Sequence, residues 1–250
     1  VTLSDDTLFE RLAGDQACII DTPVELLTVT VPGCPEWSAR QLINHVGRVH
    51  KWATALLVAD PPEDFGPSGL ALVGKGPEIL DEFATVAGAA IDELRRRPLD
   101  GTVYAWGNER ERRFWLRRLA NETSVHRADL DATAGRPMAI APDLAADGID
   151  ELFAEFLPLV GTNPLGLAEG DDARSVHVHC TDVDGEWVLR FGPDGWTVDR
   201  AHEKSDVAAR GPASDLVLAL WGRHRPQDVG IEVLGDADLF DSLLSAINIF

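Results

Sequence analysis

Glu122 and His126 stand four residues apart in the stretch NETSVHRADLDAT. On a helix, a carboxylate and an imidazole at that spacing share one face, one turn apart. The pair is either a solvated surface contact or two ligands aimed at a third group. On a helical wheel Trp115, Leu116, Leu119 and Leu130 form a broad apolar face, and Glu122 and His126 point into the same sector. Arg113, Arg117, Arg118 and Arg127 fall largely around the rest. A carboxylate inside an apolar stripe is costly unless it is paired. A second stripe, Leu42, Val46, Val49, Ala53 and Leu56, carries His45 at its side. A bundle that faced these two helices together would collect His45, Glu122 and His126 in its interior. Two neutral imidazoles and a carboxylate are a common ligand set for catalytic zinc, with the fourth position left for water or substrate. Gly47 offers room for close helix approach, and Asp129, three residues beyond His126, is a candidate acceptor behind that ligand. The plainer readings are an i, i+4 surface pair and, for His45, a core histidine bonded to a backbone carbonyl. His50, at the opposite edge of its stripe, reads as a packing or surface residue.

Other residues carry weaker chemistry. His177 and His179 alternate along an expected strand and so share one sheet face. Such a pair can bind metal, but no third ligand is evident in the sequence, and a solvated strand face is the preferred reading. The run RRFWLRR reads as a helix with arginines in solvent and aromatics buried. Trp187, Trp196 and Trp221 are expected to pack a second domain. Cys34, in an expected loop, is the most accessible of three well-separated cysteines, and none sits in a catalytic pattern. There is no phosphate-binding glycine loop and no nucleophile elbow.

Several helices must position these residues. A first helix is expected over about residues 3–14. Ser38 and Gln41 make a capping box, with Trp37 and Leu42 as hydrophobic staple, for a helix from about Ser38 to Val58. A loop containing DPPEDFGPSG follows, then a helix from about Pro77 to Arg97, stopped by Pro98 and Gly101. The helix bearing Glu122 and His126 is expected from near Asn108 to Gly135, and another from Pro142 to about Val160. Four or five amphipathic helices with these loops suggest a bundle. The character changes in GTNPLGLAEGDDARS, residues 161–175. Beyond it, SVHVHCTDV, EWVLRF and GWTVDR are separated by turn signals of a meander. A strand near Ser205–Arg210, a helix near Ser214–Gly222, the strand IEVLG and a last helix complete an α+β unit. The expected organisation is a bundle over 1–163 and a small α+β domain over 172–250.

Composition bounds the partners. The 250 residues carry a formal net charge of −20. Such a surface is repelled by nucleic-acid phosphate and by anionic membranes, which leaves small molecules or other proteins. No apolar run approaches the roughly 20 residues needed to span a bilayer. Three scattered cysteines argue against a disulfide scaffold and for a reducing cytoplasm. The acidity permits a monomer or a homodimer.

Two segments together carry a family resemblance. VPGCPEWSARQLINHVGRVHKWA resembles the second-helix motif of the mycothiol-dependent maleylpyruvate isomerase family, and NETSVHRADLDA resembles that family's second motif. HVHCTDVDGEWVLRF and DLVLALWGR resemble its C-terminal domain. The resemblance implies a DinB-like metal-binding helical bundle joined to a small α+β domain of sterol-carrier-protein-like type. It implies zinc held by His45, Glu122 and His126, and mycothiol, the low-molecular-weight thiol of actinobacteria, as cofactor. It assigns a C-terminal-domain arginine to the active site, for which Arg223 in LWGR is the candidate, holding a carboxylate of the substrate. Trp52 and Trp115 are expected to line the cavity. The implied chemistry is attack of the thiolate on a small electrophilic, anionic substrate. Elimination after rotation about a double bond makes an isomerase, and retention of the adduct makes an S-transferase. A closed site with Cys34 or a further histidine as fourth ligand would instead mark a non-enzymatic metal- or ligand-binding module. A metal-dependent hydrolase would use activated water and no thiol.

Overall fold

The computed structural model describes residues 3–59, 63 and 65–247. The chain forms an N-terminal helical region and a C-terminal mixed-sheet domain, each a compact unit, dividing between Met138 and Ala139.

The first unit begins with α1 (Asp5–Ile20), whose N-cap Ser4 accepts from the Thr7 amide. Its buried residues Leu8, Leu12, Gln16 and Ile19 follow the helical repeat through Gly14. A Cβ on Gly14 would meet nothing, so that glycine costs helix propensity but no packing, and the helix runs six residues past the expected end. A two-strand ribbon, β1 (Thr30–Val31) with β2 (Cys34–Ser38), leads into α2 (Ala39–Val58). The Ser38–Gln41 capping box is present in both directions. Next come α3 (Glu78–Arg96), β3 (Thr102–Ala105), β4 (Asn108–Glu111) and α4 (Arg113–Thr133). The strands β3 and β4 are a correction, because that helix was expected to start near Asn108. Trp106 and Gly107 both take positive φ, 51° and 77°. That is the two-residue hairpin turn suited to strand twist, and it diverts NERE into a ladder before the helix starts. Gly47 also differs from its expected role. A Cβ there would lie 2.5 Å from Leu72 Cδ1, so this glycine admits a loop residue, and Asn44 Nδ2 donates to the Leu72 carbonyl at 3.0 Å. Of the loop 59–76, residues 60–62 and 64 lie outside the described residues. The core joins Ile19, Leu42, Ile43, Val46, Phe83, Ala87 and Leu130.

His50 is fully buried in this unit, its ring edge-on to Phe83. Its Nδ1 lies 2.9 Å from the Val46 carbonyl and its Nε2 3.0 Å from Gln16 Nε2. The carbonyl can only accept, so Nδ1 donates, and Nε2 accepts from the Gln16 amide. Both contacts are satisfied by the neutral ring. Burial holds its pKa down to about 4, from 6.5. Between those values the unfolded chain binds the extra proton, so this contribution to stability is lost as pH falls from 6.5 towards 4. The expected loss is roughly 2–3 kcal/mol. It is measured as the extra drop in urea midpoint between pH 7 and 4.5 in the wild type relative to His50→Gln. Parallel drops in the two proteins would remove His50 as the cause.

The second unit begins with α5 (Pro142–Glu151), which continues through one π-helical turn, residues 152–156, into α6 (Leu157–Val160). The expected Pro142–Val160 helix therefore exists, and α5 packs on α7 (Ala213–Leu220) within the second unit. Phe153 meets Trp187 edge-on, and Phe156 meets Trp221. The strands β5 (Arg174–Cys180), β6 (Glu186–Gly192), β7 (Gly195–Asp199), β8 (Val207–Gly211) and β9 (Glu232–Gly235), with α7 between β8 and β9 and α8 (Ala237–Ile247) last, form one sheet of order β7-β6-β5-β8-β9. Only β5 and β8 pair in parallel. Val176, Val178, Trp187, Leu189 and Phe191 bury one face, as strand alternation requires. Among the described residues no helix is long and apolar enough to cross a membrane.

Candidate metal centre

Two contacts set the register of α2 against α4. His45 meets Glu122, and Trp52, two turns further along α2, meets Trp115, two turns back along α4. The helices are therefore antiparallel here, and the two contacts lie about 10 Å apart along them.

At the first contact His45 Nε2 is 2.9 Å and His126 Nε2 3.3 Å from the same oxygen, Glu122 Oε1. The two rings stand edge to face with centroids 5.0 Å apart. One ligand atom from each of the three residues lies within 4.8 Å of the others, a grouping that can hold a metal ion. The expected trio is thus brought together, and it stays partly open, with the His45 side chain 23% exposed.

The surroundings fix each member. His126 Nδ1 is 2.9 Å from Asp129 Oδ2, and Asp129 is fully buried. A carboxylate behind an imidazole fixes its tautomer and ring orientation, the role anticipated for Asp129. Arg118 Nη2 donates to the other Glu122 oxygen, Oε2, at 2.6 Å. The wheel had placed Arg118 outward with its neighbours; instead its side chain is 5% exposed, because Glu122, one turn on, supplies the charge that lets it be buried. Trp37, from β2, stacks obliquely on His45 at 4.9 Å between centroids. The sequence marked Trp37 only as a staple, and its place one residue before the helix cap gave no sign of this contact.

These neighbours set the charges. Burial raises the Glu122 pKa, but the charges of His126 and Arg118 and the bonds from both histidines overcome it and hold the carboxyl well below its usual range. Burial disfavours a charged His126, yet the Glu122 charge and the Asp129 and Glu122 bonds push its pKa up to about 9. The Glu122 and Asp129 carboxylates thus favour positive charge on the His126 ring between them.

Trp52 and Trp115, expected to line the cavity, meet each other two turns along α2 and α4 from the carboxylate. Trp115 has no exposed surface, and its Nε1 donates to the Tyr104 carbonyl at 3.2 Å. Trp52 packs edge-on against it at 5.1 Å and donates to the Phe65 carbonyl. Two turns from the carboxylate, this pair joins the helices. Arg223 lies in the second unit, just past α7. Gly222, at φ 73°, ends that helix, with its own amide bonded to the Ala219 carbonyl and that of Arg223 to the Leu218 carbonyl. This glycine-dependent stop fixes the backbone from which Arg223 projects. Its Nη1 donates to the Trp221 carbonyl at 2.6 Å.

Comparison with known proteins bears on the two domains and their fold. Residues 22–131 match the mycothiol maleylpyruvate isomerase N-terminal domain and residues 143–242 the MDMPI C-terminal domain. A crystal structure of the mycothiol-dependent maleylpyruvate isomerase is similar with a TM-score of 0.61 at 13% identity, covering 92% of this chain and 93% of that one. A histidine-to-alanine mutant of that isomerase gives 0.58 at 14% identity with the same coverage. No curated protein matches the sequence. With one family domain on each side of the Met138–Ala139 division, and the fold shared over nearly the whole length, the chain belongs to the mycothiol-dependent maleylpyruvate isomerase family of enzymes.

Proposed function

We propose that this chain is a zinc-dependent, mycothiol-using isomerase or S-transferase acting on a small, electrophilic, anionic substrate. The observation that carries the reading is the convergence of His45, Glu122 and His126 from two helices, with Asp129 behind His126. Two imidazoles and one carboxylate fit zinc by donor type and leave one position for a thiol sulfur. Cys34 is not in the group, which favours a thiol from outside the chain over the closed site of a binding module.

Each residue has a distinct task. With metal bound, His126 would give up its proton, so that His45 and His126 would present ring nitrogens and Glu122 its Oε1, while Arg118 occupies Oε2, which favours one-oxygen ligation. Asp129 takes the Nδ1 hydrogen of His126 and fixes which nitrogen faces the centre. Zinc, when bound, supplies the charge that keeps a thiolate ionised near neutral pH. Arg223, on its fixed turn, is assigned the substrate carboxylate. The reaction is addition of the thiol sulfur to an electrophilic carbon, followed either by elimination after rotation or by retention of the adduct.

The test is metal content together with turnover of cis-unsaturated dicarboxylates, with and without mycothiol, in wild type and His126→Ala. The expected wild-type result is about one zinc at this centre and turnover only with thiol, with both lost in the variant. Turnover without thiol would point to the hydrolase, and zinc retained at this centre by the variant would remove the metal assignment.

A further inference from the structure

The second unit holds another convergence of ligating side chains. His177 and His179 point from the face of β5 opposite Val176 and Val178, with His177 buried; Glu186 lies opposite His179 on the neighbouring β6, and His202 comes from the segment between β7 and β8. We propose that His177, His179, Glu186 and His202 form a second metal site, for Zn2+ or a similar imidazole-preferring divalent transition ion, separate from the His45 centre.

Sheet order explains why no contiguous motif announced it. β8 lies three places from β7, so residues 200–206 must cross β6 and β5 to reach it. Asp199, Val188, His177 and Ala208 lie in one cross-strand row. The crossing begins and ends near the row of His177, which carries His202 over the paired histidines.

The distances fit a shared centre. His202 Nδ1 is 2.6 Å and His177 Nε2 3.3 Å from Glu186 Oε2, and His179 Nδ1 is 3.0 Å from Glu186 Oε1. The three rings form a triangle with centroids 5.3, 5.8 and 5.9 Å apart. One ligand atom from each of the four residues lies within 4.8 Å of all the others. Ligand atoms around tetrahedral zinc stand about 3.4 Å apart, so small rotations would close the set. Three imidazoles around one carboxylate are also more than ion pairing requires. The arginines of this face bond other acids, Arg190 to Asp199 and Glu203 and Arg210 to Glu232. Glu186 is left among groups that are weak cations but good ligands.

Imidazole-rich sets select zinc, copper, nickel or cobalt over magnesium and calcium. Four protein donors make the set closed, the type that stabilises structure rather than activating water. An ion here would tie the 200–206 crossing to β5 and β6.

Zinc-binding stoichiometry on the full chain, after removal of metal with a chelator, tests the site. In a His45→Ala/His126→Ala background, which disables the first centre, one equivalent of Zn2+ should still bind. Co2+ should give the intense visible absorption of four-coordinate geometry. Adding His177→Asn and His179→Asn should abolish both. His202→Gln, at an exposed position, should weaken binding at least tenfold with unchanged circular dichroism, which separates ligand loss from misfolding. No zinc in the first background, or binding unchanged by the β5 or His202 substitutions, overturns the proposal. Since each centre has its own variants, failure of one leaves the reading of the other intact.

Discussion

Replacing Glu122 by alanine should strip the metal from the bundle, abolish thiol-dependent turnover and destabilise the fold by about 3 kcal/mol. One carboxylate serves three partners. Oε1 faces His45 and His126, and Oε2 accepts from Arg118. Alanine removes the only anionic ligand of the trio and the counter-charge of a guanidinium with a side chain 5% exposed. Breaking a buried pair costs more than the pair contributes, because the remaining charge stays away from water. The Glu122 charge also helps raise the His126 pKa to about 9, so the variant imidazole should lose basicity. Glu122→Gln keeps the volume and separates the effects: metal loss should persist while part of the stability returns. Metal analysis after gel filtration and urea unfolding check the two halves. Full metal occupancy of the bundle centre in Glu122→Ala would falsify the ligand assignment.

Arg112→Met should cost about 2–4 kcal/mol, the loss of bonds to two buried carbonyls, without touching the metal centre. Arg112 is 3% exposed and sits at the N-cap of α4. Its Nη1 donates to the Leu57 carbonyl at 2.6 Å, and Nη2 to the Glu93 carbonyl at 3.1 Å and to Glu93 Oε1 at 3.3 Å. Leu57 and Glu93 belong to the last turns of α2 and α3, where carbonyls have no intrahelical partner. One guanidinium thus closes two helix ends, and its positive charge suits both dipoles. Arg96 and Arg97 still reach Glu93 in the variant, so the main loss is the two carbonyl bonds and the packing of the stem. A urea midpoint unchanged relative to Arg136→Ala, at a 55% exposed arginine, would show that the helix ends find other donors.

The sequence could be read furthest where local signals sufficed. Ser38 and Gln41 fixed the start of α2, and with it the angular position of His45. The apolar stripe on α4 located Glu122 and His126 on a buried face before any partner was known. The C-terminal strands followed from alternation and turn residues. What stayed hidden depends on contacts between distant segments. Arg112 and Arg118 sit in a run that reads as a solvated arginine face; helix ends elsewhere bury the first and Glu122 buries the second. Trp115 belongs to the same apolar stripe as Glu122, seven residues and so two turns before it, yet the wheel cannot say that Trp52 packs against it there. The expected start of α4 failed because Trp106 and Gly107 make a hairpin turn without the usual Asn-Gly signal. His177 and His179 showed no third ligand because Glu186 and His202 join them only through sheet order.

The antiparallel join of α2 and α4 also sets an order of events during synthesis. His45 and Glu122 are 77 positions apart, so a nascent chain carries His45 alone of the three through α3 and the β3–β4 hairpin before the carboxylate emerges. Glu122 and His126 then arrive together, one turn apart. A metal ion that needs all three proposed ligands would meet the full set only after α4 has docked on α2. On the proposed ligand set, loading of this centre would be a late step, and metal held there would mark a molecule whose α2 and α4 have already met in the correct register.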